Sequence, residues 1–329
     1  MMKKTKYKDS GILLIDKDSV VIKFRDESIT FYNNFLEKKF KLNANISTTH
    51  IIKSYDKKFI VFDGNRSNIY DEEGVKLGED SNYYLSCSFN YDVFIPEDEE
   101  KIVIRRKNML VTFPYIYGEK VFSQDYYIQV YHDEKILINY SLDSGAEIWK
   151  KDFTEFLYTP VTECQRELIK YKNHLYFIVY SEGVTKCICL DISTGNLLKE
   201  CSGLYGEMIL EEDRLYFLSP DHISILNTET QEVVTHTVTD IFESTEIKRL
   251  LFPRWFIKNG IIYFTQSGGV DMHSGSRGAI FGALDAFSLK ILWYERLSKE
   301  HGIIGTIQVE GDRIYVHTQD KTLFIYEHE

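Results

Sequence analysis

The residues best suited to chemistry lie in one glycine-rich stretch, Gln266 to Gly278, which reads QSGGVDMHSGSRG. Asp271, His273 and Arg277 stand there among four glycines. Glycine lets a backbone approach a ligand closely, and an Asp/His pair can bind a metal or act on a substrate. No third metal ligand or second catalytic group stands at a fixed spacing from the pair. An exposed hairpin loop is the simpler interpretation, so we assign these three side chains to partner contact and name no catalytic, cofactor or metal residue.

A second polar stretch is acidic and comprises Glu97, Asp98, Glu99 and Glu100. Runs of like charge are usually solvated surface, and basic residues at positions 105–107 follow directly. This run predicts an exposed loop whose carboxylates steer a partner of opposite charge.

The overall charge of the chain also favours a partner of opposite charge. Lys and Arg number 39 and Asp and Glu number 50, which gives a formal charge of −11 with His neutral. Such a balance argues against nucleic acid as a ligand and favours solubility or a basic partner.

The cysteines and the N-terminal residues predict a cytoplasmic protein. Five cysteines are an odd number, they are scattered, and no CxxC pair suggests zinc. The first apolar run, Ile12 to Ile15, is too short for a secretory signal, and no later run approaches transmembrane length. We therefore expect no membrane association and a monomer when the protein is free.

An eleven-residue pattern recurs along the chain and organises it. It is clearest at Asn139 to Trp149 (NYSLDSGAEIW) and Ala283 to Trp293 (ALDAFSLKILW). Further copies are Thr30 to Phe40, Asn68 to Gly78, Val103 to Phe113, Cys189 to Lys199, Ile225 to Thr235 and a partial one from Phe324. The starts are 35 to 58 residues apart, which brackets the roughly 40 to 50 residues of one four-stranded propeller blade.

Upstream of most copies lies a second run of β-branched and aromatic residues with a period of two. These runs are Val20 to Phe24, Phe59 to Phe62, Ile128 to Tyr131, Leu175 to Tyr180, Leu215 to Leu218, Ile261 to Thr265 and Ile314 to Thr318. Together with the turn residues that bound them, they predict antiparallel strands. Little room is left for helix, and Ile241 to Leu251 is the best short candidate. We predict an all-β chain that forms one propeller domain over residues 1–329.

The copies CLDISTGNLLK, from Cys189, and ALDAFSLKILW resemble the repeat of the pyrroloquinoline-quinone-like propellers, A-x-D-x-x-T-G-x-x-x-W. In that family the terminal Trp docks on the neighbouring blade, which implies burial of Trp149 and Trp293. Trp255 lies outside the pattern, so we expect a smaller contribution from it. The Asp position is filled by Asp191 and Asp285, which we expect to cap turns, and by Tyr32, Tyr70 and Arg105 elsewhere.

The resemblance also raises an enzymatic alternative. The family includes quinone-dependent alcohol and sugar dehydrogenases, which are exported and often carry adjacent cysteines beside the cofactor. This chain has neither an export signal nor a Cys-Cys pair, so we expect no quinone and no other cofactor.

Eight blades are preferred, with seven as the alternative, because the copy from Val103 is the weakest. The copy from Phe324 stops after six positions, so a segment from the other end must complete its blade. Thr5 to Lys8 and Ile12 to Ile15 are the available strands.

We therefore interpret the sequence as a non-enzymatic protein-binding propeller, in one version an immunity or antitoxin-like protein that masks a basic toxin. The alternative is an enzyme or binding protein for a sugar or other small ligand at the propeller axis. In a four-stranded blade, the loop between the second and third strands opens on the same side as the connector to the next blade. We expect the partner on that side, where two long connectors carry the aromatic residues Phe153, Phe156, Tyr158 and Phe242.

Overall fold

The computed structural model describes the chain except for residues 1, 25, 27, 44–49, 55, 89–90, 98–100, 107–108, 115–118, 248, 267–277 and 329. The described strands form eight four-stranded antiparallel sheets, which are the blades of an eight-bladed β-propeller. The first strand, β1 (Met2–Tyr7), belongs to the last blade. We name the strands of each blade a to d, in chain order except that β1 is strand d of blade 8.

Blades 1 to 4 follow one another along the chain. Blade 1 contains β2 (Ser10–Ile15), β3 (Ser19–Phe24), β4 (Ser28–Asn33) and β5 (Lys38–Asn43). Blade 2 contains β6 (His50–Lys53), β7 (Phe59–Phe62), β8 (Ser67–Tyr70) and β9 (Lys76–Asp80). Blade 3 contains β10 (Tyr83–Ser88), β11 (Tyr91–Ile95), β12 (Lys101–Arg106) and β13 (Met109–Pro114). Blade 4 contains β14 (Lys120–Phe122), β15 (Tyr126–Tyr131), β16 (Ile136–Ser141) and β17 (Glu147–Asp152).

Blades 5 to 8 continue the same order. Blade 5 contains β18 (Glu163–Tyr171), β19 (His174–Ser181), β20 (Val184–Asp191) and β21 (Leu197–Ser202). Blade 6 contains β22 (Glu207–Glu211), β23 (Arg214–Leu218), β24 (His222–Asn227) and β25 (Val233–Thr237). Blade 7 contains β26 (Trp255–Lys258), β27 (Ile261–Gln266), β28 (Ile280–Asp285) and β29 (Ile291–Arg296). Blade 8 contains β30 (Ile304–Glu310), β31 (Arg313–Thr318), β32 (Leu323–His328) and β1.

Helix is confined to three short segments in the described residues. Two are 3-10 turns, Phe153–Phe156 and Lys299–His301, and one is the α-helix α1 (Val238–Ile241). The helix predicted over Ile241 to Leu251 is wrong apart from its first residue. The helix begins earlier because the Thr237 hydroxyl caps it by accepting from the Asp240 N–H at 3.1 Å.

The chain divides into two compact units. Unit 1 comprises Met1–Ser47 and Ile209–Glu329, and unit 2 comprises Thr48–Met208. In both units strands b and c carry the core. In β19, for example, every side chain from Leu175 to Val179 is fully buried, because a strand covered on both faces needs an unbroken apolar run.

The structure decides two alternatives that the sequence left open. The weak copy from Val103 to Phe113 supplies strands c and d of a complete blade, so the count is eight. Blade 8 is completed by β1, in which Thr5 pairs with Ile325 and Tyr7 with Leu323. Ile12 to Ile15 belongs instead to strand a of blade 1.

Asx turns confirm the predicted role of Asp191 and Asp285. Asp191 accepts from the Thr194 N–H at 2.8 Å, and Asp285 accepts from the Ser288 N–H at 2.7 Å. In blades 1 and 2, however, the capping side chains are Asn33 and Asp71, not the aligned Tyr32 and Tyr70. The repeat is therefore shifted by one residue there, because only a short polar side chain can reach back to the turn.

Trp149 docks on the next blade of unit 2 as the family resemblance implies. Its side chain is 7% exposed and its Nε1–H donates to the Ile192 carbonyl at 2.6 Å. A Cβ at Gly195, whose φ is +68°, would lie 2.8 Å from the indole ring. Glycine is required at this turn both by the positive φ and by the close approach of the ring.

Trp293 is only partly buried and packs edge-to-face on Phe281, with ring centroids 5.5 Å apart. Trp293 belongs to blade 7, and the next blade is blade 8. Strands c and d of blade 8 are β32 and β1, which come from the two ends of the chain and are not joined by a turn. In the described part of the chain, a glycine turn like the one that covers Trp149 is therefore absent beside Trp293. Trp255 is 6% exposed within the core of unit 1. Trp255 is therefore as buried as Trp149, although it lies outside the repeat pattern.

Candidate protein-interaction surface

Each blade has one end at which both the b–c loop and the connector to the next blade leave the sheet, because successive strands run in opposite directions. We call this end the connector edge. The loop that contains Glu97 lies between β11 and β12, and the first long connector lies between β17 and β18. The second long connector lies between β25 and β26 in unit 1.

The connector between blades 4 and 5 is anchored by two phenylalanines. Phe153 and Phe156 are buried, and Phe156 packs edge-to-face on Phe177 with centroids 5.8 Å apart. The Asp152 carboxylate caps their 3-10 turn by accepting from the Thr154 N–H at 2.8 Å. The prediction that Phe153 and Phe156 offer contact area to a partner is therefore wrong, since ordering a long connector requires apolar anchors of its own.

The same correction applies to Phe242. Its side chain is fully buried and packs edge-to-face on Phe264, with centroids 5.0 Å apart. Val238, Ile247 and Leu250 of the same connector are buried beside it. The extra length between β25 and β26 thus covers the core of unit 1, and the Phe242 ring is not available for binding.

Tyr158 is the one predicted aromatic contact that is exposed. It follows the anchored turn and has a φ of +56°. Four other large apolar side chains are exposed at the connector edge of blade 5. The exposed fractions are 90% for Tyr158, 52% for Val161, 40% for Tyr180, 53% for Val184 and 42% for Tyr205. We call these five residues the aromatic patch.

Strand register places the patch at one end of one sheet. Ser181 pairs with Val184 across the b–c turn, and Tyr180 pairs with Glu163 at the start of strand a. The connector that carries Tyr205 is held to the same end, because the Gln165 Nε2 donates to the Gly206 carbonyl at 2.7 Å. These contacts fix the patch on a rigid blade, where exposed apolar area is typical of a binding surface.

Carboxylates surround the patch. Glu155 lies in the anchored turn, Glu163 begins strand a and Glu182 lies in the b–c turn, and all three are exposed. The Tyr180 hydroxyl donates to Glu163 Oε2 at 2.6 Å, which holds the ring beside the acid. An aromatic surface with an acidic rim is suited to a partner that offers apolar area and basic side chains.

Glu97 borders a separate cleft at the connector edges of blades 2 and 3. The cleft has a volume of about 500 Å³ and is lined by Phe62, Gly64, Asn65, Arg66, Ser81, Tyr83, Ile95, Pro96 and Glu97. Phe62 and Tyr83 meet edge-to-face with centroids 4.8 Å apart, and Arg66 pairs with Glu79 at 2.7 Å. The structure therefore brings Glu97 to an open cleft with aromatic walls, in the same unit as the aromatic patch.

The other predicted contact residues fall outside the part of the chain that the structure describes. They are Asp98, Glu99, Glu100, Asp271, His273 and Arg277. Within the described part, no three or more His, Cys, Asp or Glu side chains are grouped so as to hold a metal ion. No described helix has the length and apolar character needed to cross a membrane.

One polar cluster in unit 2 has groups suited to acid–base chemistry. His132 Nε2 lies 2.5 Å from Glu119 Oε2, and Gln165 Nε2 donates to Glu167 Oε2 at 2.6 Å. Burial raises the pKa of the Glu167 carboxyl, and the like charge of Glu119 raises it further. Glu119 precedes strand a of blade 4, His132 follows strand b of the same blade, and Glu167 lies on strand a of blade 5.

Glu167→Gln is expected to stabilise the protein at neutral and alkaline pH. The pKa of Glu167 is higher in the folded than in the unfolded state, so stability is lost as the pH rises through the folded pKa. Glutamine does not ionise, so the variant should not lose this stability and should be more stable than wild type at neutral pH. The difference between the two proteins should vanish below about pH 4, where glutamate is protonated in both states. Thermal unfolding between pH 4 and 8 measures it, with exposed Glu155→Gln as the control. A gain that is the same at every pH would contradict the assignment.

Comparison with known proteins supports the fold and leaves the family open. No protein-family model matches the chain, and no curated protein is similar to it in sequence. The structure is similar to that of BamB from Moraxella catarrhalis, with a TM-score of 0.65 and 12% identity over 100% of this chain and 98% of BamB. It is also similar to dihydro-heme d1 dehydrogenase NirN, with a TM-score of 0.60 and 13% identity over 88% of this chain and 66% of NirN. At these identities the shared property is the propeller fold.

Proposed function

We propose that this chain is a protein-binding propeller of the pyrroloquinoline-quinone-like kind, and that it binds its partner through the aromatic patch. The observation that carries the proposal is the exposure of five large apolar side chains on one anchored blade end, ringed by Glu155, Glu163 and Glu182. The repeat pattern supports the family, and the likeness to two solved structures supports the propeller fold.

The chemistry of the surface points to a basic partner. The chain carries a formal charge of −11, and three carboxylates stand around the patch. Opposite charges at a rim accelerate association, while buried aromatic contacts slow dissociation. In its specific form, the proposal is a cytoplasmic, non-enzymatic, immunity-like protein that is monomeric when free and masks a basic toxin.

The test is affinity capture of the tagged protein from its native cell, compared with a patch variant. Tyr158→Ser together with Val184→Ser should reduce capture of the specific partner at least tenfold, because each lost anchor costs about 1–2 kcal/mol. The matched control is Phe35→Ser with Leu110→Ser, which removes side chains that are 71% and 65% exposed elsewhere. Equal capture by both double variants would refute the proposed surface.

The runner-up is a small-molecule function at the polar cluster of Glu119, His132 and Glu167. The short His132–Glu119 contact and the raised pKa of Glu167 favour it, since a carboxyl group of raised pKa beside a paired imidazole is suited to proton exchange with a sugar hydroxyl. The two functions can be separated by partner capture. If Glu119→Gln captures the partner like wild type and the patch variant does not, the protein is bound at the aromatic patch and not at the polar cluster.

A further inference from the structure

Strand β25 has an unusual composition for the outer strand of a blade. It reads VVTHT, and all five of its residues are exposed. Among the eight described outer strands, six carry charged residues and β13 ends in proline, whereas β25 has neither. Charges and proline on an edge strand discourage pairing with another chain, so β25 lacks the usual protection.

The backbone of β25 offers hydrogen-bonding groups on its outer side. The Asn227 N–H donates to the Glu232 carbonyl at 3.0 Å, and the Val238 N–H donates to the Asp221 carbonyl at 2.8 Å. Because bonding alternates along an antiparallel strand, positions 234 and 236 also face β24, and Val233 and Thr235 direct their N–H and C=O groups outward. Within the described chain β25 has β24 as its strand partner and forms the edge of its sheet.

Side-chain chemistry favours an added strand at this edge. Four of the five residues are β-branched, which suits a pleated strand, and none brings a charge that would oppose a neighbour. The two faces of the strand alternate, with Val233, Thr235 and Thr237 on one side and Val234 and His236 on the other. A partner strand would therefore meet one valine and two threonines on one face, and one valine and one histidine on the other.

Charges at the two ends of β25 indicate what kind of segment fits. Glu229 and Glu232 precede the strand, Asp240 and Glu243 follow it, and all four are exposed. Arg249 lies near the second end as well, but it is paired with Asp221 at 3.0 Å. A second copy of this chain is a poor occupant, because antiparallel self-pairing about Thr235 would bring the acids before one strand towards those after the other. A segment with basic residues on both sides of an uncharged centre is complementary.

We propose that β25 accepts an extended segment of a protein partner as a fifth strand of blade 6, and that this segment has a β-branched centre flanked by Lys or Arg. The inference rests on the proposed protein-binding function but needs no contribution from the aromatic patch. Backbone hydrogen bonds provide the affinity in this mode of recognition, and the flanking charges provide the selectivity.

The probe is a synthetic peptide of alternating Val and Thr with two lysines at each end, titrated against the full chain. Thr235→Pro should weaken its binding at least tenfold, because proline removes the outward N–H without removing a bond to β24. Thr235→Val is the matched control, since it also loses the hydroxyl contact with Ser224 at 2.8 Å but keeps the N–H. If Thr235→Pro fails to fold, Glu232→Lys provides the test. This variant should bind the lysine-flanked peptide more weakly than wild type does, and a glutamate-flanked peptide more tightly.

Several outcomes would overturn the inference. They are no binding of the lysine peptide by the wild type, equal binding by Thr235→Pro and Thr235→Val, or equal affinity for lysine- and glutamate-flanked peptides. Concentration-dependent dimers that disappear in Thr235→Pro would instead identify a second copy as the occupant. The Tyr158→Ser, Val184→Ser variant should bind the peptide like wild type, so a failure of the aromatic patch is distinguishable from a failure of the β25 edge.

Discussion

Deleting residues 1–7 should destabilise the protein by on the order of 3 kcal/mol or more, although it removes little of the chain. The deletion strips strand d from blade 8 and leaves the edge of β32 unpaired. It also removes Lys4, which pairs with Glu295 at 3.1 Å and lies 4.5 Å from the Phe324 ring centroid. Tyr7 is lost as well, and with it the contacts to Phe24 and Tyr32 in blade 1. Urea unfolding of the two chains measures the difference.

A circular permutant is the control for this deletion. Joining the two ends through a short linker and opening the exposed b–c turn at Glu182–Gly183 keeps every strand, because β1 and β32 are already antiparallel neighbours. The permutant should unfold close to wild type, and adding residues 1–7 as a peptide should partly rescue the deletion. A deletion that unfolds like wild type would show that β1 does not close blade 8.

Trp149→Ala should cost about 3–5 kcal/mol, because it opens a cavity between blades 4 and 5 and removes the donor to the Ile192 carbonyl. Trp149→Phe retains much of the ring and should cost clearly less. Trp293→Ala should also cost less, since that side chain is only partly buried.

Chemical denaturation of the three variants ranks these losses. Gly195→Ala provides an independent check from the other side of the contact, because an added Cβ would meet the indole and strain the positive φ. If Trp149→Ala and Trp293→Ala lower the free energy of unfolding by the same amount, the docking of Trp149 on the glycine turn does not stabilise the protein beyond ordinary burial.

Much of the fold is predictable because strands b and c leave a strong signal. Unbroken apolar runs such as Leu175 to Val179 occur where a strand is covered on both faces. Strand a is harder to predict, as β14 shows with only Lys120–Phe122 in its ladder. The one-residue shift at Asn33 and Asp71 was detectable, since Asx side chains at turn starts are a better guide to register than the aromatic residues beside them.

The candidate site was less predictable, since residue type does not fix burial in a connector. Phe153 and Phe156 are buried as anchors, while Tyr158, two residues later, has a positive φ and is exposed. A period-two analysis gives no signal for Val184, which begins a strand, or for Tyr205, which lies in a connector. Tyr180 and Val184 flank the turn Ser181–Gly183, and apolar residues beside a polar turn are the one signal that could have indicated the patch.

Amide hydrogen exchange on the captured complex tests the central claim most directly. The account predicts slower exchange on partner binding at residues 157–163, 180–185 and 202–206, which carry the aromatic patch, with little change at Phe35 and Leu110. Protection confined to other surfaces, with these three segments exchanging as in the free protein, would contradict the proposal that the partner binds at the connector edge of blade 5.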